Sequence, residues 1–422
     1  MRSLLVATLL AACGMSNASA ATKTDDKQNL LTPTQIQQDL QSFIDYVRLG
    51  YAYRDDKPTN FATFEQCVRH QSVAIKSKLQ LSGRLNYCLE HWFDHHADVT
   101  PRPKDYYLPM PTATGLWAEW RDGQAIITAV PFAESAYQQG FRAGMQILRV
   151  DGTPIEQAIE QANTSGFDTA KSWVLNRLLT GKRKQTLSLE VRWQHKTEIK
   201  LLDIEAIVQD VIAEKPLLTQ KRIGTIGYIR PENSLGNNAL IGAFDLAMEQ
   251  LKDTQAMILD LRHTPSGGNT EVARGIMSRF IKSRQAYQTH ELVSIEREFG
   301  VKRAWQEFVF PRGDFQYDKP LIVLCNKWTG SMGEGLTIGL HGMGRATVIG
   351  TQMSQLLGAI YSETLPHSQL SYMLPREKLY HINGTPREAF MPDIVVKQQQ
   401  HNQEQDATLQ TALDWHNKNH AD

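Results

Sequence analysis

Ser331 stands in the small-residue turn Thr329-Gly-Ser-Met-Gly333, between the apolar run Leu321–Leu324 and the helical stretch Glu334–Leu340. A serine at a strand-to-helix junction is presented outward, and the first N–H groups of the helix behind it can hold an anion. Exposure, a fixed rotamer and nearby donors are what a serine nucleophile needs. A second segment, Asp260-Leu-Arg-His-Thr-Pro-Ser-Gly-Gly-Asn269, also follows an apolar run and ends in the turn Gly267-Gly268. Paired glycines let the backbone approach a ligand closely and turn N–H groups toward it. A serine hydroxyl needs a base at neutral pH, and Trp92-Phe-Asp-His-His-Ala-Asp98 offers His95 and His96. The same histidines also read as helix-end residues, or as loose metal ligands beside Asp94 and Asp98. Glu334, three residues after Ser331, reads as a helix cap, and Arg262 as the partner of a carboxylate.

The elements that must position these residues fall into three stretches. From Leu31 to Trp92 apolar residues recur at helical spacing, as in Ile36, Leu40, Phe43, Ile44 and Val47, until the break Thr100-Pro-Arg-Pro-Lys104. From Tyr107 to Ile204 the pattern is mostly short strands, with Asp122-Gly123 as a hairpin turn. From Gln220 onward strands at 223–229, 256–261, 321–324 and 346–349 alternate with helices at 239–251, 271–281 and 334–340. Alternation of that kind is an α/β layer pattern. The polar tail after Gln398 reads as a loose helix.

The 45 basic and 45 acidic residues balance, which argues against nucleic acid or an anionic membrane surface as partner. No stretch is long enough to span a bilayer. Met1-Arg2, an apolar run to Ala12 and Ala18-Ser19-Ala20 fit a secretory signal peptide cleaved after residue 20. Leu10-Ala-Ala-Cys13 offers a lipobox reading, with a lipid anchor at Cys13. Either way the expectation is export, to the periplasm or beyond. Cys67 and Cys88 could pair there, while Cys325 reads as a small buried hydrophobe.

Ala133 to Ile155, with its Phe141-Arg-Ala-Gly144 turn and Asp151-Gly152, resembles the PDZ signature. The resemblance implies a groove that takes up a peptide as an added strand, with Gly115-Leu116 near the carboxylate-binding loop. The Asp260 and Ser331 segments, with Gly344–Gly350 and Pro392–Val395, resemble the carboxyl-terminal processing (tail-specific) serine proteases. That resemblance implies a layered α/β core of the ClpP/crotonase kind, preceded by a helical region and a PDZ-like module. The implied boundaries are 1–20 signal peptide, 21–105 helical region, 106–205 PDZ-like module, 215–400 catalytic core and 401–422 tail. Ser331 matches the family's nucleophile, and the N–H groups of Met332 and of Gly267 or Gly268 match its oxyanion-hole donors. In the best-known branch a lysine follows the serine as base, but its position falls on Leu356. The Asp94-His-His segment instead resembles the branch that includes the tricorn core protease, which implies His96 as base and Glu388 as the late carboxylate that orients it. The reading is an exported serine peptidase acting through an acyl-enzyme on polypeptides, without cofactor or metal. The alternative is an inactive peptide- or ligand-binding protein on the same fold.

Overall fold

In the computed structural model, the structure describes residues 30–70, 75–110, 114–162, 170–213, 215–396 and 405–420. The expected signal peptide and Cys13 lie outside the described residues.

The central sheet has six strands, in the order Ile394–Val395, Ala346–Gly350, Leu321–Cys325, Ala256–Asp260, Ile226–Pro231, Leu218–Ile223. All neighbours run parallel except the last two, which form an antiparallel hairpin. The expected single strand at 223–229 is therefore two strands, because Gly224, at φ +59°, turns the chain back. Leu321–Cys325 and Ala256–Asp260 are buried along their whole length, as central parallel strands covered on both faces must be. Helices Ala239–Leu251, Thr270–Met277 and Met332–Gly342 cover one face. The other face is covered by Ala407–His420, whose Leu409, Ala412, Leu413 and Trp415 pack onto Ile322, Leu324 and Ile349. The tail expected to be loose is thus a docked helix, further tied by Asp406 to Arg262, whose guanidinium also holds the buried Asp260.

The stretch between Ile281 and Leu321, for which no element was expected, contributes the strands Gln285–Glu291 and Ala304–Val309 to a second sheet. This sheet also takes in Ser371–Tyr380, Ala359–Thr364 and, from far upstream, Asp98–Thr100, which pairs antiparallel with Ser371–Met373. The N-terminal helices follow that strand. Pro33–Gly50 is started by a Thr32–Gln35 capping box. Its apolar face shares one core with Phe64, Leu85 and Trp92 and with Leu365, Tyr372 and Leu374 of the late hairpin. Cys67 and Cys88 are joined as a disulfide within this region. The pairing of Asp98–Thr100 with Ser371–Met373 carries the histidine pair, just upstream, across the chain to the C-terminal half.

The middle stretch is a β-rich module of five main strands in the order Trp117–Arg121, Gln124–Ala129, Gln146–Val150, Thr186–Trp193, Lys196–Asp203. Helix Lys171–Thr180 lies along its first strand and shares the module's own apolar core.

Candidate active site

Strands Ala256–Asp260 and Leu321–Cys325 are parallel neighbours, so the turns after them emerge side by side. Thr264 and Thr329 form a parallel bridge, and Gly330 N–H donates to the Thr264 carbonyl at 3.2 Å. This brings Gly267-Gly268 against Ser331. A Cβ on Gly267, at φ +62°, would sit 2.4 Å from Ser331 Cβ and 3.0 Å from Met332 N, so only glycine fits. Ser331 itself, the residue before helix Met332–Gly342, has φ 48° and ψ −111°. A non-glycine residue held there stores about 1–3 kcal/mol of strain and persists only where its surroundings over-determine it.

Those surroundings are specific. Glu334, fully buried, accepts N–H bonds from Ser331 at 2.9 Å, Gln355 at 2.9 Å and Leu356 at 3.2 Å. Burial pushes its carboxyl up to about 7, against the opposing effect of Arg387 and of those three donors. The expected cap role is what the bonds describe, and Glu334 also ties the serine to the loop 354–358. Arg387, 2% exposed, closes the arrangement. Its guanidinium donates to the carbonyls of Leu356 at 2.6 Å, Gly358 at 3.0 Å and Ser331 at 3.3 Å, and it stands 3.8 Å from Glu334.

His96 reaches the same loop. Its Nδ1 lies 2.6 Å from the Leu357 carbonyl, and its backbone N–H donates to Asp94 Oδ1 at 2.8 Å. Asp94 Oδ2 in turn accepts from Tyr51 OH at 2.6 Å, and Tyr51 stacks on Trp92 in the N-terminal core. A carbonyl can only accept, so Nδ1 carries the proton and Nε2 keeps its lone pair. Burial, reinforced by the Arg387 charge and opposed by the Leu357 carbonyl, lowers the His96 pKa to about 4. The imidazole is neutral throughout the ordinary pH range.

Glu388 follows Arg387, half-buried, and its Oε2 has no hydrogen-bond partner among the described residues. Burial raises its pKa, with Arg387, Lys378 and Lys57 acting against that rise. Among the described residues no hydrogen bond joins Glu388 to His96, whose Nδ1 is taken by the Leu357 backbone. Gly267 N–H donates to the Thr264 carbonyl at 3.1 Å, whereas Gly268 N–H and Met332 N–H have no partner among the described residues.

Gly115, at φ +69°, and the fully buried Leu116 lead into the edge strand Trp117–Arg121. The open side of that edge is occupied by the module's own helix. Asn176 Oδ1 accepts from Ala118 N–H at 2.9 Å, Asn176 Nδ2 donates to the Ala118 carbonyl at 2.7 Å, and Trp120 N–H donates to Ser172 Oγ at 2.9 Å. The groups that an added strand would pair with are already bonded.

In sequence, residues 225–396 match the profile of Peptidase family S41. Over this stretch the chain is similar to the peptidase family S41 domain. That stretch holds both turns, Ser331, Glu334 and Arg387, and the match makes the chain a serine peptidase. No curated protein matches the chain in sequence. In fold the chain is similar to mature CPAF, at a TM-score of 0.59 and 15% identity, covering 90% of this chain and 96% of that one. It is also similar to the photosystem II D1 C-terminal processing protease, at 0.54 and 15%, covering 90% and 99%. A putative peptidase from Parabacteroides merdae ATCC 43184 gives 0.54 and 14%, covering 90% and 96%. These likenesses extend the shared fold beyond the S41 domain into the helical region and the β-rich module. Among the described residues no helix is long and apolar enough to cross a membrane.

The sequence reading missed Arg387 and Asp94 as parts of this arrangement. Both sit inside motifs it had singled out, next to Glu388 and His95, but their roles depend on contacts that no local pattern encodes.

Proposed function

We propose that the chain cleaves peptide bonds through an acyl-enzyme on Ser331, with His96 as general base. The observation that carries this reading is the tautomer of His96, with Nδ1 committed to the Leu357 carbonyl and Nε2 left as a proton acceptor. Ser331 Oγ attacks the substrate carbonyl as its proton passes to His96 Nε2. The developing oxyanion is held by the N–H groups of Met332 and Gly268, the two donors with no other engagement. Collapse of the tetrahedral intermediate breaks the C–N bond, and His96 returns the proton to the leaving amine. Water, deprotonated by His96, then hydrolyses the ester and frees Ser331. The carboxylate whose charge favours the imidazolium formed in each proton transfer is Asp94, against the opposing charge of Arg387. The test is a digest of unfolded protein substrates, with new N-termini read by mass spectrometry. The wild-type chain generates them and Ser331→Ala does not.

Gly267 supports the oxyanion site without donating to it. Gly267→Ala drives a methyl group into Ser331 and displaces Met332 N–H, and is expected to lower kcat/KM by about a hundredfold or more. Peptidase assays beside a thermal melt check this, because the folded fraction must stay high for the loss to report the site.

The pH profile has an assignable sign. His96 acts as base only when neutral, and its pKa of about 4 keeps it neutral well below the usual histidine range. The acid limb of kcat/KM should therefore fall near 4. A limb near 7 that disappears in Glu334→Gln would report the buried carboxylate instead. An acid limb at ordinary histidine pH that survives Glu334→Gln contradicts the assignment of His96.

The Cys67–Cys88 disulfide favours an oxidising compartment and so supports export. In this reading the β-rich module docks the substrate as a PDZ-like unit near Gly115-Leu116. Strand addition at its first edge requires Asn176 and Ser172 to release the backbone of Ala118 and Trp120.

A further inference from the structure

We infer that Lys327, held against the ring of Trp117, forms a subsite for a carboxylate of the substrate, tied to the loop that holds the nucleophile. The inference deepens the peptidase reading and rests on it for its link to turnover.

Lys327 is 8% exposed, yet among the described residues no carboxylate lies within ion-pair distance of its ammonium. Its Nζ bonds only neutral oxygens, Gln355 Oε1 at 3.0 Å and Gln352 Oε1 at 3.3 Å, and lies 5.0 Å from the Trp117 ring centroid. An ammonium has three donors, so one is left over. The acids that act on it from further off, Glu119 and Glu334, are engaged elsewhere. Glu119 pairs with Arg121 at 2.6 Å and accepts from Thr128, and Glu334 holds its three backbone N–H groups. A buried cation without a counter-ion is costly. Burial lowers the Lys327 pKa to about 8, so the ammonium form still prevails at neutral pH.

His95 stands against the same indole, ring centroids 5.8 Å apart, and its buried Nδ1 has no hydrogen-bond partner among the described residues. Burial keeps this imidazole neutral, with a pKa near 4, so it adds no charge there. Lys327 and Trp117 face each other from the two walls of a division between the core and the β-rich module. On the Lys327 side a cleft of about 350 Å³ is lined by Glu119, Arg121, Thr128, Lys327 and Gln352, whereas His95 lines a separate pocket with Asp94, Trp173 and Arg177. An unused cationic donor opening on a cleft that also carries Arg121 suits an anionic group.

The subsite is coupled to the chemistry. Gln355, which receives the lysine, gives its own N–H to Glu334, and Glu334 holds the N–H of Ser331. The chain thus brings a lysine to the loop where position 356 lacks one, from four residues before the serine rather than after it. Two carboxylates could fill the site: the α-carboxylate at a polypeptide C-terminus, or an aspartate or glutamate side chain.

The test uses the full chain carrying Ser331→Ala, so that binding is read without turnover. Fluorescence anisotropy compares three peptides of one sequence: free C-terminal acid with an internal Glu, the same with a C-terminal amide, and the free acid with Gln for Glu. Removing one of the two carboxylates is expected to weaken binding about tenfold, and which one does so identifies the source. Adding Lys327→Met should bring that ratio close to one, while Lys327→Arg retains it. Glu119→Gln, which removes a competing anion from the cleft wall, should tighten the acid peptide about twofold; it carries the test should Lys327→Met fold poorly. Equal affinity for all three peptides overturns the subsite, as does a ratio unmoved by Lys327→Met or an affinity unmoved by Glu119→Gln. Because binding needs no acylation, a chain that shows the ratio but never hydrolyses peptide refutes the peptidase reading alone.

Discussion

Ser331→Ala is expected to reduce peptide hydrolysis by about 10⁴–10⁶-fold while leaving the fold in place. The hydroxyl oxygen is the only heavy atom removed. The bond from Ser331 N–H to Glu334, the Arg387 bond to the Ser331 carbonyl and the close fit of Gly267 all involve backbone or Cβ, which alanine retains. Alanine is no better suited than serine to φ 48°, so no gain from relieved strain should appear in the melt. The measurement is kcat/KM on a fluorogenic peptide beside a thermal unfolding curve. Activity within tenfold of wild type would show that another group attacks the carbonyl.

His96→Ala is expected to cost about 10²–10⁴-fold, less than loss of the nucleophile, because the oxyanion donors and substrate contacts remain. The imidazole is held from both ends, its backbone N–H by Asp94 and its ring by the Leu357 carbonyl, so the site it leaves is shaped for a ring. Added imidazole should therefore recover part of the lost rate in His96→Ala and none in Ser331→Ala. A merely structural histidine would give no such rescue. Single-turnover acylation rates with and without imidazole decide the point.

How much of this was legible follows the range over which each feature is encoded. The turns at Gly267-Gly268 and Ser331 are local: apolar run, small residues, helix. Their juxtaposition then follows from two parallel strands being neighbours. Glu334 could be read as a cap from its place three residues after the serine. His96 was suggested by a motif, but its contact with Leu357 spans 261 residues and depends on Asp98–Thr100 pairing with Ser371–Met373, a three-residue strand without a period of its own. Arg387 was hidden for a similar reason, since its partners are backbone carbonyls, and carbonyls leave no mark in a sequence. The second sheet went unassigned because Gln285–Glu291 and Ala304–Val309 are mixed in polarity and bury only scattered residues. The tail helix looked loose because its apolar residues are few, yet Leu409, Ala412, Leu413 and Trp415 meet the sheet. Lys327 escaped notice because the lysine was sought after the serine, and its isolation from carboxylates is visible only in three dimensions.

The central claim is that the Ser331 hydroxyl is activated by the His96 imidazole, and reaction with a fluorophosphonate, followed by intact mass over time, tests it most directly. The wild-type chain is expected to gain a single adduct located on Ser331, Ser331→Ala to gain none, and His96→Ala to react about a hundredfold more slowly or worse. A folded wild-type chain that stays unmodified, or labelling that proceeds equally fast without His96, would contradict it.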